Sequence, residues 1–231
     1  MTALSSPFPL PALYFDCVGD SCFVLLQDMA GKLYEHTLEH PRQAAQLLVP
    51  TIERICTAAK ISLSDLKTAV TVQGPGSFTG VRIGLSGLQG LQWETSCTSY
   101  AINQLDLLKG IAFSEANISA GAIIIDAGKK NAFVGLYAAT KEPVYQLISG
   151  DELVTLRERH GHLPFFMPRQ EGVETPSFQI EKTTLFSITP EKIWSFLKNN
   201  FAHSHAAWHK NLATPLYLKP PTVTVSSCVK S

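Results

Sequence analysis

The chain has 231 residues, 45% of them hydrophobic and 16% charged, with 19 basic side chains balanced by 19 acidic ones. That length suits one large domain or two small lobes, each with its own core. A net charge of zero argues against a free-standing nucleic-acid binder held by bulk electrostatics, and no apolar run is long enough to span a bilayer.

Residues 1–11 hold Pro7, Pro9 and Pro11 and lack the positive start and apolar core of a signal peptide. They are expected to form a flexible extension, and a cytoplasmic location follows by default. Apolar runs at 13–16 and 21–27 flank Cys17-Val18-Gly19-Asp20, a turn by composition, and Asp28-Met29-Ala30-Gly31 turns the chain again into 32–38. The pattern predicts a three-stranded antiparallel meander. The five cysteines form no CxxC pair and read as reduced thiols, with Cys17 and Cys22 as strand or turn residues rather than a metal or disulfide pair.

A helix is predicted over 43–60, where Ala45, Leu48, Ile52, Ile55 and Ala59 recur at steps of three and four. Pro50 interrupts that pattern and is expected to kink it. A short capped turn at 61–65 leads into an apolar strand at 68–73. The densest signal comes next, in Gly74-Pro75-Gly76-Ser77-Phe78-Thr79-Gly80. Three glycines and a proline in seven residues mark a strand-to-helix turn that needs unusual angles or close backbone approach. Ser77 or Thr79 can cap the helix that follows, and the free N–H groups of the turn could hold an anion. The Gly-Lys-Ser/Thr ending of a P-loop is missing.

The helix after the turn runs to about residue 93 and carries Gly80, Gly84, Gly87 and Gly90. Each interior glycine costs a helix about 1 kcal/mol relative to alanine, so the series calls for a compensating neighbour lying very close, inside the chain or outside it. A strand at 99–102 and a helix at 103–113 complete the first half. Strands at 122–126, 131–139 and 144–149 then repeat the opening meander, and a helix is predicted over 151–160. Residues 161–181 resist assignment. A last helix begins with Thr189 as cap and Pro190 at its first position, and runs to about 201. The organisation expected is an N-terminal lobe over 12–114 and a smaller C-terminal lobe with its tail over 115–231.

Gly-Pro-Gly-Ser-Phe-Thr-Gly-Val-Arg-Ile-Gly, after a short strand and opening a glycine-rich helix, resembles the signature of TsaB proteins. Leu13-Tyr14-Phe15-Asp16, Leu47-Leu48-Val49-Pro50, Ile124-Ile125-Asp126-Ala127 and Pro215-Leu216-Tyr217-Leu218-Lys219 agree with the family in order and spacing. The chain departs from it at Cys17, where the family has Thr, at 43–46, and at Gly128, where the family has Arg. The resemblance implies an α/β fold of two ribonuclease-H-like lobes, as in the actin-like ATPase superfamily, with a mixed sheet in each. It also implies a non-catalytic subunit of the machinery that makes threonylcarbamoyladenosine in tRNA. Such a subunit pairs with the catalytic homologue TsaD, beside a TsaE-like ATPase, or with a second copy of itself. It meets tRNA only through the complex and binds no cofactor alone, ATP or ADP belonging to the interface of the assembly.

On this reading no residue is catalytic and none binds metal. The partner interface is Ala45, Leu48, Ile52, Ile55 and Ala59 on the first helix with Gly80, Gly84, Gly87 and Leu91 on the second. Gly74, Gly76, Ser77, Thr79 and Arg82 form the turn and a candidate anion contact. The alternative is an ATP-dependent phosphotransferase that uses Asp16 and Asp126, which end corresponding strands of the two lobes and otherwise cap turns. No His lies between His40 and His160, so the two-histidine helix that binds metal in the catalytic relatives is absent. His203, His205 and His209 read as a solvated helix terminus.

Overall fold

The computed structural model describes residues 9–19, 22–38, 43–138, 141–169, 182–201 and 208–210. Most of the expected N-terminal extension and C-terminal tail, the motif at 215–219, and residues 170–181 lie outside the described residues.

Three antiparallel strands open the chain: β1 (Ala12–Asp16), β2 (Cys22–Gln27) and β3 (Leu33–Leu38). Helix α1 (Ala44–Ala58) leads to β4 (Thr68–Val72), which lies parallel to β1. Helix α2 (Phe78–Glu94) then crosses to β5 (Thr98–Ile102), parallel to β4, and α3 (Gln104–Ala116) leaves the sheet. The second half repeats this plan. Strands β6 (Gly121–Gly128), β7 (Asn131–Ala138) and β8 (Lys141–Ser149) form a meander, and α4 (Gly150–Arg159) leads to β9 (Phe165–Pro168), parallel to β6. Strand β10 (Thr183–Phe186) adds parallel to β9, and α5 (Pro190–Phe201) follows.

The sheet orders are therefore β3-β2-β1-β4-β5 and β8-β7-β6-β9-β10, the same path walked twice. This is the two-lobed ribonuclease-H-like arrangement, α/β with a mixed sheet in each lobe. The first sheet gains a sixth strand, β11 (Trp208–Lys210), which returns antiparallel to β5. His209 thus sits in a strand opposite Ala101 and not at the end of α5, while His203 and His205 lie outside the described residues. Strand β9 also falls in the span that the sequence left unassigned.

The pleat explains how the lobes join. In β6, Ile123 and Ile125 point into the large cluster that begins at β1 and runs through α3, whereas Ala122 and Ile124 point into a smaller cluster closed by Leu153 of α4. Helix α3 packs on β6, β7 and α5, and at its first turn Asp106 Oδ1 accepts from the hydroxyls of Tyr137 (2.9 Å) and Tyr145 (2.7 Å). Burial raises the Asp106 carboxyl above its ordinary range, against the lowering effect of both tyrosines. Helices α1 and α2 pack on the first sheet and against each other. Helix α1 continues through Pro50, which is exposed, as is Gln46, the residue whose carbonyl loses its helical partner there.

Candidate protein-docking site

The glycine-rich turn is a junction of four elements. Gly74 has a φ of 101°, and its carbonyl accepts from Gln104 N of α3 at 2.8 Å. Ser77 caps α2, its hydroxyl accepting from Gly80 N at 3.2 Å, while its own N–H donates to Val18 O in the β1–β2 hairpin at 3.0 Å. A Cβ on Gly76 would lie 2.8 Å from Val18 O, and one on Gly80 would lie 1.8 Å from Cys17 O. The glycines at 76 and 80 are required because the hairpin tip presses directly on the start of α2. Thr79 and Arg82 are exposed, and the Arg82 guanidinium stacks over the Phe78 ring at 4.0 Å.

The compensating neighbours of the remaining helix glycines are also inside the chain, with one exception. A Cβ on Gly84 would lie 2.9 Å from Thr71 Oγ1 of β4, and one on Gly87 would lie 2.9 Å from the Leu48 side chain of α1. Leu48, Ile52, Ile55 and Leu91 are core residues, so these four expected interface positions are buried within this chain. A 3.6-residue period puts the apolar stripe Ala44-Leu48-Thr51-Ile52-Ile55 on that side, which leaves Ala45 outside and Ala59 half-buried. The exception is Gly90, which would have open space around a Cβ. It shares its face with Ile83, Ser86 and Trp93 at helical spacing, and Trp93 is 94% exposed. Val49 on α1 is 55% exposed. Trp93 and Val49 carry the strongest outward apolar signal of the two helices, and the periodicity of each helix could have singled them out once its inward face was fixed.

Asp16 ends β1, whereas β6 continues past Asp126 through a bulge to Gly128, yet the two aspartates make the same local hydrogen bond. Asp16 Oδ1 accepts from Val18 N at 2.8 Å, and Asp126 Oδ1 accepts from Gly128 N at 2.7 Å. Asp16 is buried, and Tyr14 Oη donates to its Oδ2 at 3.3 Å. Burial pushes its carboxyl from 3.8 up to about 6, more than the two hydrogen bonds pull it down. Beside it Cys17 and Cys22 occupy the turn and strand positions expected of them, and their sulfurs face each other at 2.8 Å. Among the described residues no three His, Cys, Asp or Glu side chains gather to hold a metal ion. No described helix is long and apolar enough to cross a membrane.

A duplicated ribonuclease-H-like core with a serine-capped, glycine-rich crossover helix defines a class, and the family follows from direct matching. The chain belongs to the TsaD family, described as tRNA N6-adenosine threonylcarbamoyltransferase, whose model matches residues 39–212. Within it the similarity is to TsaB proteins. That of Escherichia coli is 38% identical over 79 residues, 34% of each chain, so the match spans about a third of that relative's length. The TsaB protein of Bacillus subtilis is 32% identical over 91 residues, 38% of each chain. A protein of Mycoplasma genitalium without an assigned role is 25% identical over 90% of this chain and 95% of its own. Among solved structures, YeaZ from Pseudomonas aeruginosa superposes with a TM-score of 0.64 at 23% identity, over 90% of this chain and 99% of that one, which shows the shared fold.

Proposed function

We propose that this chain is a non-catalytic subunit of the assembly that makes threonylcarbamoyladenosine in tRNA, where it stabilises and orients a TsaD-like catalytic subunit. The biosynthetic setting is the one named for its TsaB relatives. The observation that carries the docking role is the outward face of α2. Gly90 weakens its helix by about 1 kcal/mol with no neighbour among the described residues that requires it, and Trp93 is exposed one turn away. A small residue beside an exposed aromatic suits a second helix laid against both, and burying such an aromatic anchor contributes about 2 kcal/mol or more to association. A TsaE-like ATPase completes the assembly, tRNA reaches this subunit only through it, and ATP or ADP sits at its interface. Without the partner, a second copy takes the same face. The phosphotransferase reading has less support, because Asp16 is buried with both oxygens engaged by its own strand and turn.

The test is co-purification with the TsaD homologue of the same organism. The wild-type chain is expected to hold the partner through gel filtration. Gly90→Leu combined with Trp93→Ala is expected to release it while leaving the melting temperature of the free chain within a few degrees. A complex that survives both substitutions would move the interface elsewhere, and a wild-type chain that never co-purifies would overturn the function.

A further inference from the structure

The tip of the first hairpin carries chemistry that the docking role leaves unused. In the β1–β2 pairing Ala12 opposes Gln27 and Asp16 opposes Phe23, and one further step of that register sets Cys17 opposite Cys22. Directly opposed residues of an antiparallel pair have Cα atoms about 4.5–5.5 Å apart, inside the roughly 4.4–6.8 Å that a disulfide spans. The two side chains point to the same side, both are buried, and both are free thiols with their sulfurs in contact at 2.8 Å.

We propose that Cys17 and Cys22 are a reversible oxidation site, which closes to an intrachain disulfide when the protein meets hydrogen peroxide. The Cys17 thiolate attacks one peroxide oxygen, the O–O bond breaks, and hydroxide leaves to become water. The Cys22 sulfur then displaces the hydroxyl from the resulting sulfenic acid, forming the S–S bond and a second water. Two thiols and one peroxide give one disulfide and two waters, and a thiol reductant reverses the oxidation. The hydrogen bond that the Cys17 thiol makes to Cys22, with burial, holds that thiol well above its ordinary range, so thiolate is scarce and oxidation quickens as pH rises.

The position of the pair gives the disulfide a consequence. Cys17 O lies under Gly80 and Val18 O accepts from Ser77 N, so the bond ties together the backbone on which α2 begins. The sulfurs are already adjacent, so closure pins the tip without displacing the helix. Oxidation is therefore expected to raise the thermal midpoint of the chain, and dithiothreitol to return it.

Lys32 is the first basic residue, so one tryptic peptide contains Cys17 and Cys22 and no other cysteine. The folded full-length chain is treated with hydrogen peroxide, quenched, denatured, alkylated and digested. The expected result is peptide 1–32 lighter by two hydrogens and without alkyl groups, with both thiols recovered after dithiothreitol. Two alkyl groups on that peptide after peroxide would overturn the proposal, as would sulfinic acid at either sulfur or a link to Cys56, Cys97 or Cys228. Cys22→Ser is expected to abolish the rise in thermal midpoint. A disulfide that forms without any such rise would overturn the pinning of the tip.

Discussion

The two lobes place the same aspartate turn on their first strands, at the end of β1 and in a bulge near the end of β6, and treat it in opposite ways. In the first, the aspartate turn at Asp16 is roofed by α2, whose Gly76 and Gly80 admit the hairpin backbone, and the carboxylate is sealed from water. In the second, the turn at Asp126 has no roof among the described residues: Gly128 has a φ of 71°, and none of them lies within 4 Å of its missing Cβ. One local motif thus serves as a buried joint in one lobe and as an ordinary surface turn in the other. The difference comes from what packs on it, not from the turn sequence itself.

The largest expected effect lies at the roof. Gly80→Ala drives a Cβ into the Cys17 carbonyl and should lower stability by about 3 kcal/mol or more in urea unfolding. Gly128→Ala in the open turn should lose only about 1 kcal/mol, from the positive φ. Equal losses would mean that the hairpin and α2 are not in tight contact. Next comes the buried carboxylate. Its folded-state pKa is raised, so the folded chain holds the Asp16 proton more tightly than the unfolded chain does. The stability it provides is whole below pH 3.8 and falls as pH rises to about 6. The fall amounts to roughly 3 kcal/mol. Asp16→Asn should flatten that window in denaturant titrations, and an unchanged slope would place the Asp16 carboxylate in water. The smallest effect is at the seam between lobes. Tyr145→Phe removes one of two hydroxyls on Asp106 and should lower the unfolding free energy by about 1 kcal/mol.

The sequence announced most of this architecture, because glycine, proline and cap residues act locally. The start of α2 was legible in Ser77 and its flanking glycines, and the doubled meander in alternating strands. What the sequence withheld depended on distant neighbours. The α1 stripe was recognisable as apolar, but which side of it faced the sheet depends on where β2 and β3 lie. The sequence alone therefore cannot separate an outward stripe at Leu48, Ile52 and Ile55 from the buried one that the structure has. The short strand β9 carries Phe165 and Phe166 on opposite sides into two different clusters, so it has no alternation to read. The meeting of Cys17 and Cys22 needed the hairpin register, which a five-residue spacing does not reveal.

Strand β11 has a consequence for how the molecule comes to be. Residues 208–210 complete the outer edge of a sheet whose other five strands are all present by Ile102. On the ribosome, the first lobe would wait with the backbone of β5 unpaired on one side while more than a hundred further residues are made. The final edge pairing spans both halves of the sequence, a slow class of contact, and it works as a clasp. The first lobe is finished only after the second has been translated.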